Sequence, residues 1–156
     1  MIAIQRPGQA PLEADFLLIG FEGTLATDRR VHPKAKDKIN LLSKRLKIYV
    51  LTTSERAVVE GALRRVRAEV VFMTEGGASE AKLGLLRQLG KERAVALGSG
   101  LSDVSILEES ALGICVLNRE GATTEAVAGA DLVMLNVLDA LDFLLKPLRQ
   151  RTTCSR

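Results

Sequence analysis

At 156 residues, with 47% apolar residues and a formal charge of +3, the chain has the length of one domain and enough apolar side chains to fill one core. It carries one tyrosine and no tryptophan, so the basic clusters at Arg64, Arg65 and Arg67 and after Lys146 lack the stacking aromatics of nucleic-acid readers and read as solvated faces. No apolar run is long enough for a secretory signal or membrane span, and Cys115 and Cys154 differ too much in setting to suggest a bridge, so a cytoplasmic, reducing compartment is expected.

Residues 1–14, with Arg6, Pro7 and Pro11, are expected to be a loose N-terminal extension ahead of a domain spanning 15–148. Within that domain short apolar runs rich in β-branched residues alternate with longer amphipathic segments. The pattern predicts strands at 15–21, 48–52, 69–73, 94–98, 113–117 and 131–135. Helices are predicted at 33–46, 54–66, 79–90, 102–110, 123–129 and 136–145, with Ser54, Ser79, Ser102 and Thr123 placed as N-caps. The last helix, with Leu138, Leu141, Phe143, Leu144 and Leu145, is expected to pack in the core, and 149–156 to be a basic tail. Continuously apolar strands need both faces covered, which implies an α/β fold: a doubly wound parallel sheet of about six strands, with helices on each side.

In such sheets the site forms at the carboxyl ends of the strands. The first strand runs into Gly20-Phe21-Glu22-Gly23-Thr24-Leu25, and the second ends at Thr52-Thr53. Lys82 follows the turn Glu75-Gly76-Gly77 after the third. The fourth ends in Gly98-Ser99-Gly100-Leu101-Ser102-Asp103. This last run is not a dinucleotide fingerprint, because Asp103 stands where the third glycine belongs and the motif follows the fourth strand rather than the first.

In this order the four pieces resemble the haloacid dehalogenase (HAD) superfamily, whose pattern is Asp-x-Asp-Gly-Thr after an apolar strand, then Thr or Ser, then Lys, then Gly-Asp-Gly-x-x-Asp. The similarity is greatest to its small, capless, soluble P-type ATPase-like group and covers nearly the whole chain. The resemblance implies that the first aspartate forms an aspartyl-phosphate and that the second, two residues on, acts as general acid and base. Here those positions are Gly20 and Glu22, and Asp15 lies about 16 Å away along the strand, too far to substitute. Ser99 stands where a metal-binding aspartate is usual, leaving Asp103 as the remaining metal ligand, so magnesium binding is expected to be weak or absent.

The resemblance also assigns Thr52 and Lys82 to phosphate binding, and the loop amides at Gly23 and Thr24 and at the Ser102 helix start are further potential donors. Losing two carboxylates while keeping the lysine would favour an anion. The expectation is thus a non-catalytic or impaired binder of phosphate or a phosphorylated ligand. The alternatives are a weak phosphohydrolase with Glu22 as the base for direct water attack, or an interaction module on the same fold. Each residue also has a plainer role: Thr52 satisfying a strand end, Lys82 as a solvated helix residue, Glu22 and Asp103 as acids complementing helix dipoles or capping loops, Ser99 as a small turn residue, and His32 as a surface residue. Neither gap between motifs has room for a cap domain. The site should therefore be open, with a macromolecular partner or a second subunit over it, and neither membrane nor nucleic acid is implied.

Overall fold

The computed structural model describes residues 1–155. It opens with an antiparallel hairpin, β1 (Ile2–Ile4) and β2 (Leu12–Ala14). Strand and helix then alternate: β3 (Phe16–Gly20), α1 (Pro33–Leu42), β4 (Lys47–Thr52), α2 (Arg56–Ala62), β5 (Glu69–Phe72) and α3 (Ala78–Leu89). The second half continues with β6 (Ala94–Gly98), α4 (Val104–Glu109), β7 (Leu112–Val116), α5 (Thr124–Gly129), β8 (Leu132–Met134), α6 (Val137–Leu145) and α7 (Pro147–Cys154). Strands β3 to β8 form one parallel sheet in the order β5-β4-β3-β6-β7-β8.

Side chains alternate across the sheet, as strand geometry requires. Leu17, Ile19, Ile48, Val50, Val95, Leu97, Ile114 and Val116 face a layer that includes α1, α2, α6 and the N-terminal hairpin. Leu18, Tyr49, Leu51, Ala94, Ala96 and Cys115 face α3, α4 and α5. This second layer is thin where Ala94 and Ala96 meet the short helix α4, which seats the start of α4 close to the end of β6. Cys115 and Cys154 are free thiols, and burial pushes the Cys115 thiol above its usual range.

The two chain ends differ from expectation. Ile2, Ile4 and Ala14 are buried, so the first residues are a folded hairpin, its turn carrying Gly8 at φ +79°. The alternation Ile2-Ala3-Ile4 before Pro7-Gly8 is the signal for it. At the other end α7 replaces the tail. Its buried Gln150 donates through Nε2 to the carbonyls of Phe143 (2.8 Å) and Leu144 (3.3 Å), and accepts from the Gln5 amide at 2.9 Å. One side chain thus satisfies the end of α6 and ties the two termini together.

Three of the four expected caps also differ. Thr123 caps α5, accepting from the Ala126 amide, but Ser54, Ser79 and Ser102 do not occupy the N-cap positions of their helices. For Ser54 and Ser102 the hydroxyls are committed elsewhere, to Glu22 and to Lys82.

Candidate functional site

The sheet grows in one direction from β3 through β4 to β5 and in the other from β6 to β8, so the crevice at the carboxyl ends of β3 and β6 is the topological switch point. Gly20 ends β3, Gly98 ends β6 and Thr52 ends the neighbouring β4. The residues singled out from the sequence therefore converge on one place. They do so in two separate hydrogen-bonded clusters, each built around a carboxylate.

The first cluster is centred on Asp103, which is 3% exposed. Its Oδ1 accepts from Lys82 Nζ at 2.8 Å, and its Oδ2 accepts from the amides of Ser99 (3.0 Å) and Gly100 (3.1 Å). Lys82, in the second turn of α3 and also 3% exposed, donates further to Ser102 Oγ at 2.8 Å. Gly98 makes this possible, since a Cβ there would lie 2.5 Å from the Asp103 Cβ. Lys82 is thus neither a solvated helix residue nor an open cation.

Gly20 faces this cluster. A Cβ at position 20 would lie 3.4 Å from Asp103 Oδ1 and 3.5 Å from Thr24 Oγ1, which is ordinary contact, so the position admits a Cβ that the sequence does not supply. Around it, Ser99 Oγ donates to the Gly23 carbonyl at 3.0 Å, which leaves it as the acceptor from Thr24 Oγ1 at 2.8 Å. Ser99 is thus more than a small turn residue, because it fastens the loop after β3 to the end of β6.

The second cluster is centred on Glu22, whose Oε1 collects four donors. These are the hydroxyls of Thr52 and Ser54 (2.7 Å for Ser54) and the amides of Thr53 and Ser54, both at 3.1 Å. The Thr52 hydroxyl, expected to hold phosphate, donates here to this carboxylate. Partial burial raises the Glu22 pKa, but the hydrogen bonds from Thr52, Ser54 and Thr53 outweigh it, and the net shift is below the ordinary 4.5. A lowered folded-state pKa adds stability that is present above about pH 4.5 and lost as pH falls through the folded value. The stability gap between the native protein and Glu22→Gln should therefore be constant near neutrality and shrink under acid. A chemical denaturation series from pH 7 to pH 3 measures this, and a gap that widens on acidification would contradict it.

Magnesium needs a near-octahedral set of hard oxygens. Gly20 supplies none, both Asp103 oxygens already accept hydrogen bonds, and the Ser99 hydroxyl is committed to Gly23 and Thr24. The residues present do not fit the ion. The polar cleft above them, about 570 Å³, is lined by Glu22, Asp28, Glu75 and Glu120 against Arg29 alone. Four carboxylates against one guanidinium give this cleft, which shares Gly23 with the expected phosphate site, a field unfavourable for an anion.

Three contributors were not anticipated from the sequence. Ser54 is a principal donor to Glu22. Asn118, just beyond β7, donates through Nδ2 to the carbonyls of Gly23 (3.2 Å) and Thr24 and accepts from the Val137 amide at 3.3 Å. Glu120 accepts from the Asp28 amide at 3.3 Å. The signal for the last two was their position after the fifth strand of the main sheet, a strand end that carries no family motif. His32 is exposed, as expected, and caps α1, its Nδ1 accepting from the Lys34 amide at 3.0 Å.

No family model matches the sequence. An uncharacterized protein of Methanocaldococcus jannaschii is 38% identical over 82 residues, a match covering 50% of this chain and 88% of that protein. Among solved structures, 3-deoxy-D-manno-octulosonate 8-phosphate phosphatase from Moraxella catarrhalis, in complex with magnesium, phosphate and the sugar acid, superposes with a TM-score of 0.71 at 13% identity, over 91% of this chain and 90% of that one. The cobalt-bound form of the Haemophilus influenzae phosphatase gives 0.69 at 14%, over 92% of each chain. A Streptomyces avermitilis protein assigned to the HAD family of hydrolases gives 0.71 at 19%, over 88% of each. These superpositions span 88% to 92% of this chain, and no helix among the described residues is long and apolar enough to cross a membrane. The chain therefore belongs to one family with the Methanocaldococcus protein and has the HAD fold, with the switch-point crevice in the usual place and its carboxylates engaged by the chain itself.

Proposed function

We propose that this protein is a non-catalytic HAD-fold domain that works by binding rather than by phosphoryl transfer. The observation that carries the reading is Gly20: at the end of β3, facing Asp103 and Thr24, the chain offers no atom to accept a phosphoryl group. Two further features support it. The lysine that would neutralise a phosphate is held in a buried pair with Asp103, and the Thr52 hydroxyl is held by Glu22. A phosphorylated ligand at this position has to displace the Glu22 carboxylate from four donors, so phosphate binding there is weak.

Hydrolysis by direct attack of water, with Glu22 as base, is the competing reading. It requires a basic carboxylate and a positioned cation. Glu22 is made less basic by its hydrogen bonds, and Lys82 is paired with Asp103.

Assays with 4-nitrophenyl phosphate and acetyl phosphate, with and without magnesium, test the proposal. The native protein should show background rates only. Gly20→Asp combined with Ser99→Asp should gain a measurable magnesium-dependent rate, because three carboxylates would then face one another across the crevice. Native turnover that Glu22→Gln abolishes would overturn the non-catalytic reading.

A further inference from the structure

Beside the polar cleft, which holds Arg29 among its carboxylates, two further arginines lie close to the strand ends. A second, larger groove of about 840 Å³ runs past the loop after β3 to the loops after β7 and β8. Its floor includes Leu25, Val31, Leu117 and Leu135, with Leu117 37% and Leu135 72% exposed. Arg30 and Arg119 line it as well. Arg56, Arg87, Arg93 and Arg149 each hold a carboxylate, whereas Arg30 and Arg119, like Arg29 and the surface arginines Arg64, Arg65 and Arg67, have no ion pair among the described residues.

The groove is rigidly framed. Asn118 links the carbonyls of Gly23 and Thr24 to the first amide of α6, fixing one wall against the other. The adjoining hairpin closes with reciprocal backbone bonds between Thr27 and Arg30, both 3.0 Å. Its two tip residues, Asp28 at φ 50° and Arg29 at φ 64°, adopt left-handed conformations that Asn-Gly would take at little cost. Non-glycine residues persist in such strained positions where the surroundings over-determine them, often at ligand sites. The tip also separates charge, with Arg29 on the acidic cleft and Arg30 on the groove.

We propose that this groove is the anion-binding site of the domain and takes a small amphipathic anion. A phosphate or carboxylate head would pair with Arg30 and Arg119, and an apolar body would lie on Leu117 and Leu135. Charge complementarity selects this occupant: the groove has two free guanidinium groups and one carboxylate, Asp28, whereas the cleft has four carboxylates and one guanidinium. A bidentate guanidinium fork suits both head groups, and an exposed leucine surface gains from covering by an apolar body. This inference does not depend on the absence of catalysis, because the groove lies outside both carboxylate clusters.

Amide chemical-shift mapping on the full chain with 4-nitrophenyl phosphate, 4-nitrobenzoate and inorganic phosphate tests it. The two aromatic anions should shift Arg30, Leu117, Arg119 and Leu135, and inorganic phosphate should bind at least tenfold more weakly because it lacks the body. Both arginines are exposed, so Arg30→Gln with Arg119→Gln should keep the native melting temperature while losing at least tenfold in affinity for both aromatic ligands. Leu135→Ser should weaken the aromatic ligands several-fold and leave inorganic phosphate unchanged. Shifts confined to Thr53 and Ser54, undiminished affinity in the double arginine variant, or no shifts at millimolar ligand would each overturn the proposal. Release of nitrophenolate during the titration would count against the non-catalytic reading alone, since the 4-nitrobenzoate arm maps the groove without chemistry.

Discussion

Lys82→Met is expected to be among the most damaging single substitutions in this chain. Lys82 and Asp103 form an ion pair at 2.8 Å with both side chains 4% exposed. Removing one partner of a buried pair leaves an uncompensated charge and costs about 3–5 kcal/mol, which for a domain of this size lowers Tm by roughly 10 °C. Methionine keeps the apolar stem, so the loss reports the charge rather than a cavity. Adding Asp103→Asn should recover most of it, because the asparagine oxygen still accepts from the Ser99 and Gly100 amides while the buried charge disappears. Thermal and urea denaturation of the two single variants and the double variant give the coupling directly. A Lys82→Met protein as stable as the native one would mean that this lysine is solvated, and the self-neutralised crevice would have to be abandoned. On the reading proposed above, the same pair keeps the retained lysine from acting as an open cation in the crevice.

The division between what was legible in the sequence and what was not follows the range of the interactions. The six parallel strands were readable because Leu17-Leu18-Ile19, Ile48-Tyr49-Val50-Leu51 and their counterparts are apolar at successive positions, a pattern that only two-sided burial requires. The positions of Gly20, Thr52, Lys82 and Asp103 at strand ends and an early helix turn followed from the same rhythm. What each side chain would hold did not. That Glu22, one methylene longer than aspartate, reaches the Thr52–Ser54 loop depends on how β3 and β4 sit side by side, with Gly20 opposite Leu51. That Asp103 turns toward Lys82 depends on contact between α3 and the start of α4, which are distant in sequence. Counting charges predicted a net gain for an anion, but pairing decides the sign, and both retained carboxylates are paired with the very donors that were counted. The terminal hairpin and α7 were missed for a simpler reason: three-residue strands and a polar eight-residue helix carry little periodic signal of their own.

Gly113→Ala should be as disruptive as the loss of Lys82, although residue 113 touches neither carboxylate of the crevice and its amide donates instead to Asp131 at 2.8 Å. It lies in β7 beneath α4, where a Cβ would come within 2.1 Å of the Leu107 carbonyl oxygen and 2.8 Å of its carbon. The obstacle is backbone, so no rotamer change relieves it, and α4 as a whole must move off the sheet. Overpacking of this kind costs on the order of 3 kcal/mol or more. The movement is transmitted to the crevice because Asp103 immediately precedes α4, and its carboxylate is what protects the Ser99 and Gly100 amides. Hydrogen exchange at those two amides should therefore accelerate together with the fall in Tm. Gly84→Ala is the control. Gly84 lies inside α3 with open space where a Cβ would go, so alanine there should raise stability by about 0.5–1 kcal/mol through helix propensity alone. Opposite signs at Gly113 in β7 and Gly84 in α3 would locate the constraint in the close approach of α4 to β7. A Gly113→Ala protein with native stability and unchanged exchange at Ser99 would show instead that α4 floats on the sheet and that Asp103 is positioned by Lys82 alone.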